Sequence, residues 1–189
     1  NEKAGITFEA ILKSSVRQDP DILYMGEMRD MSSAKIAVDF SSTGHLCIST
    51  MHTSNATSAI FRLERLDVNR EVMVEAILGI VAQRLLKKLC SYCKKIVEIS
   101  PEEIDMLSPF TNEIPSQVAH SQGCPHCNQT GYLGREGVYE IIEFDREVSE
   151  MVRSNVPVQE IRSFIRKRGD YLMSDHAVEK VKKFIFSPK

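Results

Sequence analysis

The sequence predicts an α/β chain: a parallel sheet with flanking helices, a tetracysteine metal module, and a closing helical region. Three observations predict it. Short apolar runs alternate with helix-spaced apolar stripes through the first ninety residues. Four of the five cysteines form two C-x-x-C pairs. Residues 146–186 repeat apolar positions at helical spacing. These changes of composition divide the chain into 1–89, 90–137 and 138–189.

In chain order, Ile6, Ala10, Ile11 and Leu12 predict a short helix that ends before Asp19-Pro20, because a residue preceding proline avoids the α region. Ile22-Leu23-Tyr24-Met25, closed by Gly26, predicts a strand buried on both faces. Ser32 or Ser33 caps a helix through about Ser42 that buries Ala34, Ala37, Val38 and Phe40 or a subset of them, and Thr43-Gly44 stops it. His45 to Met51 predicts a second strand, and Asn55 caps a third helix with Ala56, Ile60 and Leu63 as its stripe. Val74, Ile77, Leu78, Val81 and Leu85 recur at helical spacing and predict one well-buried helix. Beyond Cys90, Ser100-Pro101-Glu102-Glu103 is a capping-box helix start. Gly131, Gly134 and Gly137 mark a turn-rich stretch, and Val138 to Ile142 predicts a strand. The last stripes are Val148/Met151/Val152, Ile161/Phe164/Ile165 and Val178/Val181/Ile185.

Lys+Arg number 24 against Asp+Glu 26, a net charge of −2, which argues against a dedicated nucleic-acid binder. No apolar run approaches the roughly 18 residues that span a membrane. Asn1-Glu2-Lys3-Ala4 has neither the regions of a signal peptide nor an initiator Met, as expected of a piece of a longer chain.

Cys90-x-x-Cys93 and Cys124-x-x-Cys127, thirty residues apart, predict one structural zinc. Two knuckles fill a tetrahedral shell and leave no open position for chemistry. Lys87, Lys88, Lys94 and Lys95 are candidates to offset the excess negative charge. Unligated or redox cysteines are the alternative, but a redox motif seldom comes as a matched pair. Cys47 reads as a small buried hydrophobe, and His126 as a solvated knuckle residue.

A parallel sheet binds ligands at the carboxyl ends of its strands. Two segments lie there: Gly26-Glu27-Met28-Arg29-Asp30 and Ser49-Thr50-Met51-His52-Thr53. A carboxylate at Glu27 would polarise a water or help hold magnesium; a solvated loop residue is the other reading. His45 and His52, seven apart, point to opposite faces if the strand is regular. Arg17, Arg29, Arg62 and Arg65 either contact phosphate or pair with acidic residues; spacing leaves both open. His120 and His176 belong to no constellation.

Several segments together resemble one family. Gly5-Ile6-Thr7-Phe8, Arg17-Gln18-Asp19-Pro20-Asp21 and Gly26-Glu27-Met28-Arg29-Asp30 look like the Walker B region of the secretion ATPases. Thr43-Gly44-His45-Leu46 through Ser49-Thr50-Met51-His52-Thr53-Ser54-Asn55-Ala56 looks like that family's His box. Ala82-Gln83-Arg84-Leu85 and Gly131-Tyr132-Leu133-Gly134-Arg135-Glu136-Gly137-Val138-Tyr139-Glu140 fit as well. The resemblance is to the type II secretion and type IV pilus assembly ATPases, and runs from about Gly5 to Phe186.

The resemblance implies part of a RecA-like core in a homo-hexamer that hydrolyses ATP with magnesium. It implies a cytoplasmic protein peripheral to the bacterial inner membrane, which moves a membrane platform protein of the secretion or pilus machinery. It implies that Glu27 is the Walker B glutamate and catalytic base, and that His52 senses the γ-phosphate while His45 opens the same box. Arg17 and Arg29 are either nucleotide-associated or salt-bridged within the fold. A tetracysteine module implies assembly or export rather than retraction.

The chain departs from the family in lacking G-x-x-x-x-G-K-[ST]; none of its nine glycines precedes a lysine. The family's acidic box and N-terminal domain are likewise not found, and the end falls short of the family's usual one. Gly26-Glu27 stands where Asp-Glu is also common, so magnesium binding by this piece alone is not expected. The chain by itself is therefore expected to hydrolyse ATP negligibly. The alternative to an enzyme fragment is a non-catalytic zinc module that docks a membrane platform protein; a third reading, a zinc-ribbon nucleic-acid binder, has the motif but not the charge.

Overall fold

The computed structural model describes residues 7–189. The expectations placed on Asn1 to Ala4, Gly5 and Ile6 lie outside the described residues. The α/β class is borne out. The chain divides into two units, one running to Ile80 and resuming over Ile142–Gly169, the other Val81–Ile141 with Asp170–Lys189.

In the first unit, α1 (Phe8–Val16) starts at Thr7, whose hydroxyl accepts from Ala10 N–H, and ends at Arg17 before Asp19-Pro20. Strands β1 (Ile22–Met25) and β2 (Leu46–Ser49) pair in parallel, Ile22 opposite Leu46 and Met25 opposite Ser49. Between them α2 (Met31–Ser42) buries Ala34, Ala37, Val38 and Phe40. Its cap is Asp30 rather than Ser32 or Ser33. Ser33 instead closes a capping box three residues on, because its hydroxyl reaches back to the cap. Leu12, Leu23, Met25, Ala37 and Phe40 form one cluster, with Cys47 packed against it and its thiol pKa pushed up by burial.

β1 is not buried on both faces. Leu23 and Met25 are covered, whereas Ile22 and Tyr24 are 59% and 71% exposed. Strand alternation sends the two sets to opposite faces, and α1 and α2 supply the cluster for only one. Asn55 caps α3 (Ala56–Glu64) as expected, with Ala56, Ile60 and Leu63 buried. α6 (Arg146–Arg153) and α7 (Val158–Arg168) complete this unit; Val148, Val152, Ile161 and Ile165 are fully buried. Gly169, at φ +94°, ends α7 in the left-handed region that glycine adopts without strain.

The helix expected over Val74 to Leu85 is two elements. α4 (Arg70–Ala76) stops at Ile77, which is extended, and β3 runs Gly79–Leu89. Leu78, Val81 and Leu85 are 77%, 63% and 57% exposed rather than buried. Ile77, Val81 and Leu85, at separations of four, fit one strand face as well as a helix face, and Gly79 followed by Ile80-Val81 tips the segment to strand, since glycine weakens a helix and β-branched residues favour the pleat.

In the second unit β3 pairs with β6 (Tyr132–Glu143), which takes in Gly134 and Gly137 of the stretch expected as turns and leaves Gly131 just before it. β4 (Lys95–Glu98) and β5 (Gln117–His120) pair antiparallel, neither foreseen. α5 (Pro101–Leu107) has the capping box read from Ser100 and Glu103. α8 (Met173–Lys182) carries Val178 and Val181 of the third predicted stripe, which join Leu107, Val118, Val138 and Phe186 in the core; Ile185 lies past its end, packed against the same cluster.

Candidate functional site

Parallel pairing of β1 and β2 brings their carboxyl ends side by side. Two bonds clamp the segments that follow: Thr50 Oγ1 donates to Gly26 O at 2.6 Å, and Met28 N–H donates to Thr50 O at 2.9 Å. Glu27 and His52 leave this clamp on the two sides. The Glu27 carboxylate meets His52 Nε2 through Oε1 at 3.2 Å and Arg29 Nε through Oε2 at 2.5 Å. Glu27 is partly shielded, its side chain 21% exposed, while His52 is 91% exposed. Arg62 Nη2 donates to the Arg29 carbonyl at 3.4 Å. The Asp30 carboxyl is held below its usual range by the Ser33 N–H and hydroxyl, which fixes the start of α2 beside the site.

Glu27, Arg29 and His52 therefore converge, and two other candidates do not join them. Arg17 is exposed and serves as the C-cap of α1. His45 stacks on Phe40 at 4.6 Å, contacts Thr43 Oγ1 at 3.0 Å and faces Asp19 at 3.6 Å, at the opposite end of β2. The alternation argument for the two histidines fails because β2 is only four residues long and both lie beyond its ends. Arg29 donates to one Glu27 oxygen and the imidazole of His52 lies against the other, so the carboxylate is held between a guanidinium and an imidazole.

The second site is the cysteine cluster. The Sγ atoms of Cys90, Cys93, Cys124 and Cys127 all lie within 4.8 Å of one another. Cys90–Cys124, Cys93–Cys127 and Cys124–Cys127 are 3.9, 3.8 and 3.8 Å apart. Four sulfurs about 2.3 Å from a tetrahedral zinc stand about 3.8 Å apart, so the donor set fits a metal ion of that kind. Gly131 ties the knuckles together: its carbonyl accepts from Cys90 N–H at 2.9 Å and its N–H donates to Cys127 Sγ at 3.2 Å. Cys124 N–H also donates to Cys127 Sγ, at 3.2 Å, and Gly123 N–H to Cys93 Sγ, at 3.4 Å.

The thiols hold their protons unevenly. Burial pushes Cys127 up, but the N–H groups of Cys124 and Gly131, with neighbouring thiols, outweigh it and bring it down to about 6. Burial and the three neighbouring thiols push Cys93 up to about 11, against the Gly123 N–H. Lys94 donates to Phe184 O at 2.8 Å, and Lys87 lies 5.8 Å over the Tyr132 ring. His126 is exposed and stacks on Tyr92 at 4.2 Å, outside the sulfur cluster.

Sequence reasoning missed a third pair. His120 Nε2 lies 2.9 Å from Oε1 of the buried Glu103. The sequence marks Glu103 as the end of a capping box, but nothing local marks His120 as its partner.

The family described as type II/IV secretion system protein matches residues 1–187. The type IV pilus assembly ATPase TfpB of Acinetobacter baylyi is 36% identical over 170 residues, covering 89% of this chain and 29% of that protein. The type II secretion system ATPase E of Vibrio cholerae is 35% identical over 187 residues, covering 99% and 37%. The chain thus spans well under half the length of these curated relatives. Its fold resembles the crystal structure of the pilus retraction motor PilT with bound ADP, with a TM-score of 0.65 at 22% identity over 96% of this chain and 41% of that one. It also resembles the Legionella pneumophila ATPase DotB, with a TM-score of 0.62 at 20% identity over 96% and 40%. At those identities the likeness is one of fold.

Proposed function

The chain belongs to the type II/IV secretion system protein family, and from that membership we propose that it is the Walker B, His-box and zinc-bearing part of an ATP-hydrolysing motor. The observation that carries this reading is the meeting of Glu27 and His52 at the carboxyl ends of two parallel strands. Glu27 orients and deprotonates the attacking water, and His52 Nε2 relays the state of the γ-phosphate to it. Arg29 holds the second Glu27 oxygen until the nucleotide is in place. Where Arg17 and His45 stand, both serve the fold around the site.

ATP and magnesium need a phosphate-cradling loop that these residues do not supply. The motor would be a homo-hexamer acting on an inner-membrane platform protein from the cytoplasmic face, in export or pilus assembly, with no nucleic-acid partner. Among the described residues no helix is long and apolar enough to cross a membrane. The cysteine cluster would hold one structural zinc through Cys90, Cys93, Cys124 and Cys127; when bound, the ion cross-links the two knuckles and offers no open position.

The test compares ATP turnover of the chain alone with that of the chain extended upstream through a P-loop, each with and without Glu27→Gln. The extended protein should turn over and lose activity at least a hundredfold on Glu27→Gln, with its melting temperature unchanged because the Glu27 pair is exposed on its histidine side. The chain alone should be inactive. Extended protein that folds, binds zinc and shows no turnover would leave a docking module instead.

A further inference from the structure

We propose that Arg162, on α7, is a positioning residue for His52, acting through Thr57 and Asn55. The role rests on the reading of His52 given above; the bond chain that carries it does not.

His52 is 91% exposed, so packing does not fix it. Its place is set by the backbone on either side. On one side stands the Thr50 clamp to Gly26 and Met28. On the other stands the turn into α3, capped by Asn55. The Asn55 Oδ1 accepts from Ser58 N–H at 2.9 Å and from Ser58 Oγ at 2.8 Å, and Ser54 Oγ meets Ser58 Oγ at 3.1 Å. This turn begins two residues after His52, so its rigidity is the rigidity of the histidine's carboxyl-side anchor.

The cap is specified from a distance. Thr57 is 1% exposed. Its Oγ1 donates to Asn55 Oδ1 at 2.9 Å and accepts from Arg162 Nη1 at 3.3 Å, across 105 residues of sequence. A guanidinium has donors and no acceptor. Facing Arg162, the Thr57 oxygen accepts with one lone pair and gives its single proton to Asn55 Oδ1. The Ser58 N–H, which can only donate, requires the same Asn55 oxygen, so the cap bond and the Thr57 bond agree in direction. Arg162 thus anchors the buried hydroxyl that adds a third bond to the capping oxygen. The α3 and α7 helices pack together with Ala56, Ala59, Ile60, Ile161 and Ile165 buried, which holds the guanidinium in range.

The test uses the extended, P-loop-bearing protein for turnover and the 189-residue chain for hydrogen exchange. Thr57→Val removes the hydroxyl and keeps the shape; Thr57→Ser keeps the hydroxyl. Thr57→Val and Arg162→Leu should each lower kcat about fivefold, the size of a lost cap, with KM for ATP held within about twofold. Thr57→Ser should stay near the parent, and the double variant Thr57→Val/Arg162→Leu should fall no further than the worse single one. Exchange of the Ser58 amide should quicken about fivefold in Thr57→Val and Arg162→Leu but not in Thr57→Ser. Unchanged kcat in Thr57→Val while Glu27→Gln abolishes turnover would overturn the proposal, as would multiplying losses in the double variant or an unchanged Ser58 exchange rate. Failure of the site reading itself shows separately, as turnover that survives Glu27→Gln.

Discussion

The imidazole of His120 stands 2.9 Å from the carboxylate of Glu103, Nε2 to Oε1, with the Glu103 side chain only 2% exposed. Both atoms are buried and make no hydrogen bond, so the contact is one of charge when the imidazole is protonated. The other oxygen, Oε2, accepts from the Ser100 N–H and hydroxyl, both at 3.0 Å. One carboxylate therefore starts α5 and ties it to the end of β5. Burial pushes the Glu103 pKa up, but Ser100, His120 and Lys189 more than reverse it, so it sits below the usual range. A folded-state pKa below the unfolded one gives stability that is complete above about pH 4.3 and lost as pH falls through the folded value. Glu103→Gln should cost about 2 kcal/mol at pH 7. Its stability should also fall less steeply than the parent's below about pH 4.3. Urea unfolding across a pH series reads both; parallel curves would remove this carboxylate from the acid response.

Cys127, brought down to about 6, is already a thiolate at neutral pH, whereas Cys93, at about 11, is not. Metal binding displaces protons only from ligands that carry them. Zinc binding should therefore release fewer than four protons per ion at pH 7.5, rising by about one as the pH is lowered through 6. Calorimetry in buffers of different ionisation enthalpy measures the count. A release that does not change with pH would mean that Cys127 carries its proton like an ordinary thiol.

Two glycines with the same dihedral separate the role of Gly131 from glycine strain in general. Gly131 and Gly134 both lie at φ +76°, but a Cβ on Gly131 would stand 2.5 Å from Ser121 Cβ, whereas one on Gly134 meets nothing within 4 Å. Gly134→Ala should cost only the left-handed penalty, about 1 kcal/mol. Gly131→Ala must also move the backbone that bonds Cys90 N–H and Cys127 Sγ. It should weaken zinc binding at least tenfold while Gly134→Ala leaves it within about twofold. A chelator competition measures both; equal affinities would show that the knuckles do not depend on Gly131.

Signals carried by neighbouring residues were legible in the sequence. Asn55 and the Ser100–Glu103 box were read correctly because a cap bonds within three residues. The cysteine cluster was legible because knuckle spacing is chemistry in itself. The Val74–Leu85 stripe misleads because Ile77, Val81 and Leu85, at separations of four, share a face in a strand as they do in a helix. Burial of Ile22 and Tyr24 was misjudged because a strand's sequence does not show which of its faces a helix covers. Contacts that join distant segments left no local mark at all: His120 with Glu103, and Arg162 with Thr57. Strand order puts the segments carrying Glu27 and His52 at neighbouring strand ends, but no spacing rule gives the contact between the two side chains.

The start of α8 has no side-chain cap from Leu172, its N-cap residue. The fully buried Glu140, on β6, takes part of that role: its Oε2 accepts from Met173 N–H at 3.2 Å. Asp175 accepts locally from the Leu172 N–H at 3.1 Å; a buried helix terminus with further unmatched N–H groups is costly, so the acceptor supplied across the core by Glu140 adds to that local one. Glutamine offers the same acceptor, so Glu140→Gln should change stability by less than about 1 kcal/mol. Glu140→Leu keeps the bulk and removes the acceptor, leaving the Met173 N–H without it, and should cost about 2 kcal/mol. Urea unfolding of the two variants decides the matter: equal losses would mean that Glu140 acts through volume or charge, and not as the acceptor that starts the helix.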